Sequence, residues 1–335
     1  MPVVRIPIAR ALIQLTVVGY AIGIASGMVA FSMWTQILDL LAAGATLTTI
    51  DFATHSHALR FTLMWPVIQL AAITGAPVDT VFSWVVGAVV LLTAHLVDRT
   101  RSLVVDEAWR WHLGRAGTFL LFVGLSLFMN GRLSFAFLGM ALLLYVLVRR
   151  GLQRASNLRT VVWFPLVLLL ASVSSGTFTV ALGTMLAWVV TLLLARYPSV
   201  RLRDAVLLAP VAAGALALSP LMQLYVLKNV DFYGGGIQGF FNMLNHGPGE
   251  FISVLGPEII TPLALSGLLL GGFVVAVVLT RRPAIAPPTV SVVVAAAVGV
   301  FGYSTLLMGL PGLVVLAGVL LTPSGFCHAR QPEPA

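Results

Sequence analysis

The residues best suited to chemistry lie between the apolar runs of this chain. The longest connecting segment, 227–258, reads LKNVDFYGGGIQGFFNMLNHGPGEFISVLGPE and carries the only lysine, Lys228, with Asp231, Tyr233, His246, Glu250 and Glu258. Imidazole and carboxylate groups can take a proton from a hydroxyl, which makes His246, Glu250 and Asp231 candidate general bases. Lys228 and Tyr233 supply a cation and a phenol for holding a substrate. Gly234, Gly235 and Gly236 let the backbone turn or approach a ligand closely. Residues 237–244 are apolar and suit a short helix lying in a membrane interface, and the run His246-Gly247-Pro248-Gly249 would stop it. Long ordered loops are commonly functional. The competing reading is a solvated loop with an amphipathic anchor.

Three further groups stand out. Arg132 follows Asn130-Gly131 at a turn between two apolar runs. It suits bidentate contact to a diphosphate, or it snorkels to lipid headgroups. Ser172, Ser174, Ser175 and Thr177 cluster at another turn. Ser175 and Thr177 are candidates for binding a sugar or phosphate, and such small hydroxyl residues also serve close helix packing. Asp51, His55, His57 and Arg60 precede the second apolar run. His55 and His57, two apart, do not share a helical face, so the pair is a weak metal site and no metal is assigned.

The elements that must position these residues are membrane helices. Hydrophobic residues make up 59% of the 335 and charged residues only 9%, against roughly 25% in a soluble domain. Lipid is therefore the main solvent. With about twenty apolar residues per crossing, candidate spans fall at 11–34, 60–76, 80–97, 116–130, 132–148, 160–175, 177–195, 204–226, 259–279, 288–303 and 305–321. The expected fold is all-α: a polytopic integral membrane helix bundle of about ten or eleven transmembrane helices. It forms one domain over 1–321, followed by a disordered Pro-rich tail, 322–335. The long run near the N-terminus reads as a first membrane helix and not as a cleaved signal peptide.

Net charge is +8, with one lysine among nineteen basic residues. The arginines gather in four clusters: 98–115, 149–159, 196–203 and 281–282. Two candidate spans separate each consecutive pair, so all four clusters can share one side, which the positive-inside rule makes cytoplasmic. The 227–258 loop then faces outside. Counting back places 35–59 inside and the N-terminus outside, against the preference of Arg5 and Arg10. A hidden or re-entrant passage within 38–50 is the other way to satisfy the pattern. Clustered arginines between apolar runs fit anionic lipid headgroups, and no nucleic-acid partner is expected. One cysteine, Cys327, permits no internal disulfide. The spans hold few ionisable groups, His95 being the main one, which disfavours a proton-coupled pump. Walker, dinucleotide-binding, HExxH and paired Asp-rich motifs are absent from the sequence.

This layout resembles bacterial polysaccharide polymerases of the O-antigen polymerase (Wzy) and EpsG type. The features that carry the resemblance are the early polar segment with Asp51 and Arg60, the stretch NGRLSFAFLGMALLLY with Arg132 at the head of a helix, SSVSSGTFTVAL, and the late loop ending near LNHGPGEF. The resemblance implies an inner-membrane, multi-pass enzyme. It would transfer a growing glycan from undecaprenyl diphosphate to a new lipid-linked oligosaccharide repeat, in exopolysaccharide or O-antigen synthesis. It also implies that arginines on the outer face hold the diphosphate. Arg132 fits that role with Lys228 as partner, and Arg60 joins them if 35–60 faces outside. A base from His246, Glu250 or Asp231 would serve the acceptor hydroxyl, and the scheme needs no cofactor or metal. Expected partners are membrane lipid, the lipid-linked oligosaccharide and other polysaccharide-assembly membrane proteins. Two alternatives remain: a transporter or flippase for a lipid or glycan, and a noncatalytic subunit of a larger membrane complex.

Overall fold

Val78–Val104 shows how this chain makes a membrane helix. Its 26-residue apolar stretch Val78–Leu103 exceeds a bilayer core. Asp79 lies in the first turn and Arg101 in the last, each opposing the helix dipole at its own end. A computed structural model of the chain describes residues 5–51, 55, 57–104, 108–128, 131–153, 156–174, 177–178, 180–185, 188, 230–231, 234–239, 311–312 and 314. Among these the regular structure is all helical. The helices are α1 Arg5–Ala25, α2 Thr35–Ala42, α3 Ala58–Thr74, α4 Val78–Val104, α5 Ala108–Phe128, α6 Gly131–Gln153, α7 Asn157–Val161 and α8 Phe164–Ala171. Within α1, α4 and α6 the stretches Ile8–Ala25, Val78–Leu103 and Gly131–Leu152 are each long and apolar enough to cross a bilayer, which marks a membrane protein. The spans expected over 204–226, 259–279, 288–303 and most of 305–321 lie outside the described residues, as does the tail.

The bundle is built around α6, which packs on α4 and α8, while α5 fills the space between α4 and α1. Lipid tails are as apolar as the side chains, so helices associate here through close packing and hydrogen bonds. Glycines allow that closeness. A Cβ on Gly131 would stand 3.1 Å from Phe31, Phe82 and Val86, and one on Gly139 would stand 3.1–3.3 Å from Leu170, Val167 and Ala171. Phe82, fully buried, meets Trp34 edge-on at 5.9 Å and stacks on Phe135 at 6.3 Å.

The first apolar run is not one helix. α1 ends at Ala25, and 26–34 is irregular, with Gly27 at φ 75°. Polar groups of α4 satisfy this backbone: Ser83 Oγ accepts from Phe31 N–H at 2.8 Å and Asp79 Oδ1 from Met33 N–H at 2.8 Å. The Tyr20 and Ser126 hydroxyls bond at 2.8 Å, joining the second half of α1 to the end of α5. α1 therefore runs in the direction of α5, and its start lies at the arginine-rich end of the bundle. The count that put the N-terminus on the opposite side is corrected. In the described part of 35–57 the helix α2 is eight residues long, and the start of α1 lies at the end of the bundle that holds Arg99, Arg101, Arg149 and Arg150.

The cluster 98–115, expected as a loop, is mostly helix. α4 continues to Val104 and α5 begins at Ala108. Asp98, 2% exposed, takes Arg101 Nη2 at 3.0 Å and lies 3.4 Å from Arg115 Nε, which staples α4 to α5. Gly114 leaves room for the Arg101 guanidinium, since a Cβ there would stand 2.5 Å from Nη1.

Candidate functional site

Arg60 lies in the first turn of α3, and that helix climbs fourteen further residues to Thr74. Gly75, at φ 68°, ends it in a left-handed cap and begins the short turn into α4, as glycine readily does. At 1.5 Å per residue, Arg60 lies about 21 Å below the start of α4, a helix whose 27 residues span about 40 Å. Arg60 is thus near the middle of the bundle.

α7 and α8 reach the same depth from the other end. The apolar stretch Asn157–Ala171 is about 22 Å long, and Arg150 Nε anchors its base by donating to Asn157 Oδ1 at 2.7 Å. Its upper end packs on Gly139, eight residues or about 12 Å inside the start of α6. The chain then turns at 172–177. The edge-on contact of Trp188 with Phe164 at 5.6 Å shows it returning alongside α8. Of the pair 160–175 and 177–195, expected as candidate spans sharing a hairpin, the first arm is the shorter apolar stretch Asn157–Ala171, and the second is described only as far as Trp188. Two partial passages from opposite ends, 35–74 and 157–188, thus meet at mid-depth.

They meet through Arg60. Its Nε donates to the Ser172 carbonyl at 3.1 Å, and its Nη1 bonds His57 Nδ1 at 3.1 Å. His57 N–H in turn donates to His55 Nδ1 at 3.2 Å, with the two rings 5.8 Å apart. Ser172 is fully buried and its hydroxyl donates to Leu169 O at 2.6 Å. Thr177 is fully buried too, and its Oγ1 has no hydrogen-bond partner among the described residues. A buried hydroxyl left unsatisfied costs about 1–3 kcal/mol, and such a group calls for a water or a ligand. Irregular backbone at membrane depth persists only where it is buried in protein or lines a polar cavity. A guanidinium, two imidazoles and a serine–threonine turn at mid-depth make a donor-rich corner suited to an anionic or hydroxyl-bearing group.

Of the residues singled out from sequence, Arg60 lies against the Ser172 carbonyl, and Thr177 stands five residues further along the same segment. Arg132 is exposed at the head of α6, seven residues or about 10 Å along the axis from Gly139, and is not part of the corner. Asp231 is exposed and helical. Gly234, Gly235 and Gly236 follow at φ 113°, 74° and 56°, with Gly234 N–H bonded to Asp231 O at 3.1 Å. A helical turn at 236–239 opens the stretch read as an interfacial helix. Lys228, Tyr233, Ser175, His246 and Glu250 lie outside the described residues. No group of three His, Cys, Asp or Glu gathers among the described residues. His57 was passed over as a site residue, because only the fold shows that it holds Arg60. No family model matches the chain, and no curated protein or solved structure matches it either.

Proposed function

We propose that this chain binds a lipid-linked oligosaccharide through its diphosphate and transfers or polymerises the glycan in exopolysaccharide or O-antigen synthesis, as a multi-pass protein of the bacterial inner membrane. The observation that carries this reading is the mid-depth corner, where Arg60 is held by the Ser172 carbonyl and His57. In the reaction the acceptor hydroxyl attacks the anomeric carbon and the bond from that carbon to the diphosphate oxygen breaks. The acceptor's proton passes to a base, for which His246, Glu250 and Asp231 of the 227–258 segment are the candidates. The negative charge that grows on the leaving diphosphate meets Arg60, a preorganised donor inside a low-dielectric bundle. Arg132 at the head of α6 suits the incoming substrate's phosphates.

The depth of the corner favours a second reading, passage of a lipid-linked glycan across the membrane, because carriers place their sites between broken helices near the midplane. A gel of surface glycan separates the two. A deletion strain is complemented at matched protein levels with wild type, Arg60→Ala or His246→Ala. A transferase predicts single repeats on the surface without long chains, with Arg60→Ala reducing polymer by about 10²–10³. A carrier predicts loss of all surface glycan, with lipid-linked repeats retained on the inner face. An unchanged ladder in the deletion strain would end both.

A further inference from the structure

Arginine nitrogens can only donate. The 3.1 Å bond between Arg60 Nη1 and His57 Nδ1 therefore fixes Nδ1 as the acceptor, and the His57 ring as neutral with its proton on Nε2. The same logic applies to His55, whose Nδ1 accepts the His57 backbone N–H at 3.2 Å. Neither ring can take a proton on Nδ1 without breaking its bond, and a protonated His57 would place a second positive charge against the guanidinium.

The guanidinium is a rigid plane with five N–H groups. Ser172 O and His57 Nδ1 each hold an edge of it, so both contacts constrain the orientation of the fork. We propose that His57 is a positioning residue for Arg60, holding the guanidinium in its anion-binding orientation only while the imidazole is neutral. This rests on the proposal that Arg60 holds the substrate diphosphate. Among the described residues the other ionisable groups on the same segment are His55 and Asp51, and the neighbouring helix α2 carries Asp39. The described part of the 172–188 hairpin packed against the corner contributes none. The variants below change only His57.

The sign follows directly. With the His57 ring neutral the contact to Arg60 stands; a proton on Nδ1 removes it and sets a second positive charge against the guanidinium. Asparagine can offer its side-chain oxygen close to the position of Nδ1 and does not titrate there, so His57→Asn separates the anchor from its protonation.

The test uses the full-length chain in lipid nanodiscs and the binding of farnesyl diphosphate, measured by calorimetry across about pH 5 to 8. The ligand's own titration is common to all variants and cancels in the comparison. Wild type is expected to lose about tenfold more affinity than His57→Asn between the ends of that range. His57→Ala is expected to bind weakly throughout. Acid weakening that is the same in wild type and His57→Asn, with Arg60→Ala not binding, overturns the positioning role and leaves the diphosphate site standing. Binding by Arg60→Ala equal to wild type overturns the diphosphate site itself.

Discussion

Gly139 sets the distance between α6 and α8, and through α8 the place of Ser172. An added Cβ would stand 3.1 Å from Leu170 Cβ, 3.2 Å from the Val167 carbonyl oxygen and 3.3 Å from the Ala171 nitrogen. Carbon contacts relax at about 3.5–4.0 Å, and two of the three neighbours are backbone, which cannot rotate away. For Gly139→Ala, α8 must move by a few tenths of an ångström. The packing loss of about 1 kcal/mol is offset by about 0.5–1 kcal/mol of helix preference for alanine over glycine. Stability should stay within about 1 kcal/mol of wild type. Gly139→Val adds two more carbons where contact already exists and should cost about 2–3 kcal/mol. Ser172 follows Ala171 directly, and its carbonyl sits 3.1 Å from Arg60 Nε. Displacement either stretches or crowds that bond, so both variants should lower diphosphate binding, valine more than alanine. Thermal unfolding in detergent, read by intrinsic tryptophan fluorescence beside the farnesyl diphosphate titration, measures both effects. A Gly139→Val protein that unfolds at the wild-type temperature would show that α8 is not seated on this glycine, and the depth assigned to the 172–177 turn would fall with it.

Two further predictions test the frame. Side-specific reporters fused at the N-terminus and inserted at 105–107 should report the same side, and one inserted at 129–130 the opposite side; an N-terminal reporter agreeing with 129–130 would refute the direction given to α1. Asp98→Ala removes the carboxylate that the buried Arg101 and the one-third-exposed Arg115 share. It should cost about 3 kcal/mol, the low end for a broken buried pair because Arg115 is partly solvated. Asp98→Asn should cost less, and an unchanged melting temperature for both would mean that the staple carries no stability.

The crossings α4 and α6, and the hairpin turn between α5 and α6, were legible because apolar length and bounding polar residues decide them. Hydropathy could not show that 26–34 is irregular. That stretch is as apolar as a helix, and its backbone is satisfied by Asp79 and Ser83, some fifty residues away in sequence. Nor could it separate a full crossing from the shorter hairpin beginning at Asn157, whose composition is the same and whose depth is set by packing on Gly139. The 98–115 cluster was read by charge as a loop, although Asp98 and Arg101, three apart, are spaced to meet on one helical face. Arg60 and Thr177 were visible as polar residues near turns. The contact that places Arg60, to the Ser172 carbonyl, spans 112 residues of sequence, which no local pattern encodes.

The unequal burial of the crossing helices bears on how the chain is made. The α6 span is 83% buried and that of α1 only 22%. As the ribosome delivers helices in order, α1 to α5 reach the bilayer with the α6 groove of α4 open to lipid, Phe82 and Val86 included. Closure waits for residue 153 to emerge. The most buried of the described crossing helices is therefore made after the α4 surface it covers, and a nascent chain stalled before Gly131 leaves that surface facing lipid. Arg60 cannot be locked in place until translation has passed Ser172, so the corner is completed only after the helices that enclose it are already in the membrane.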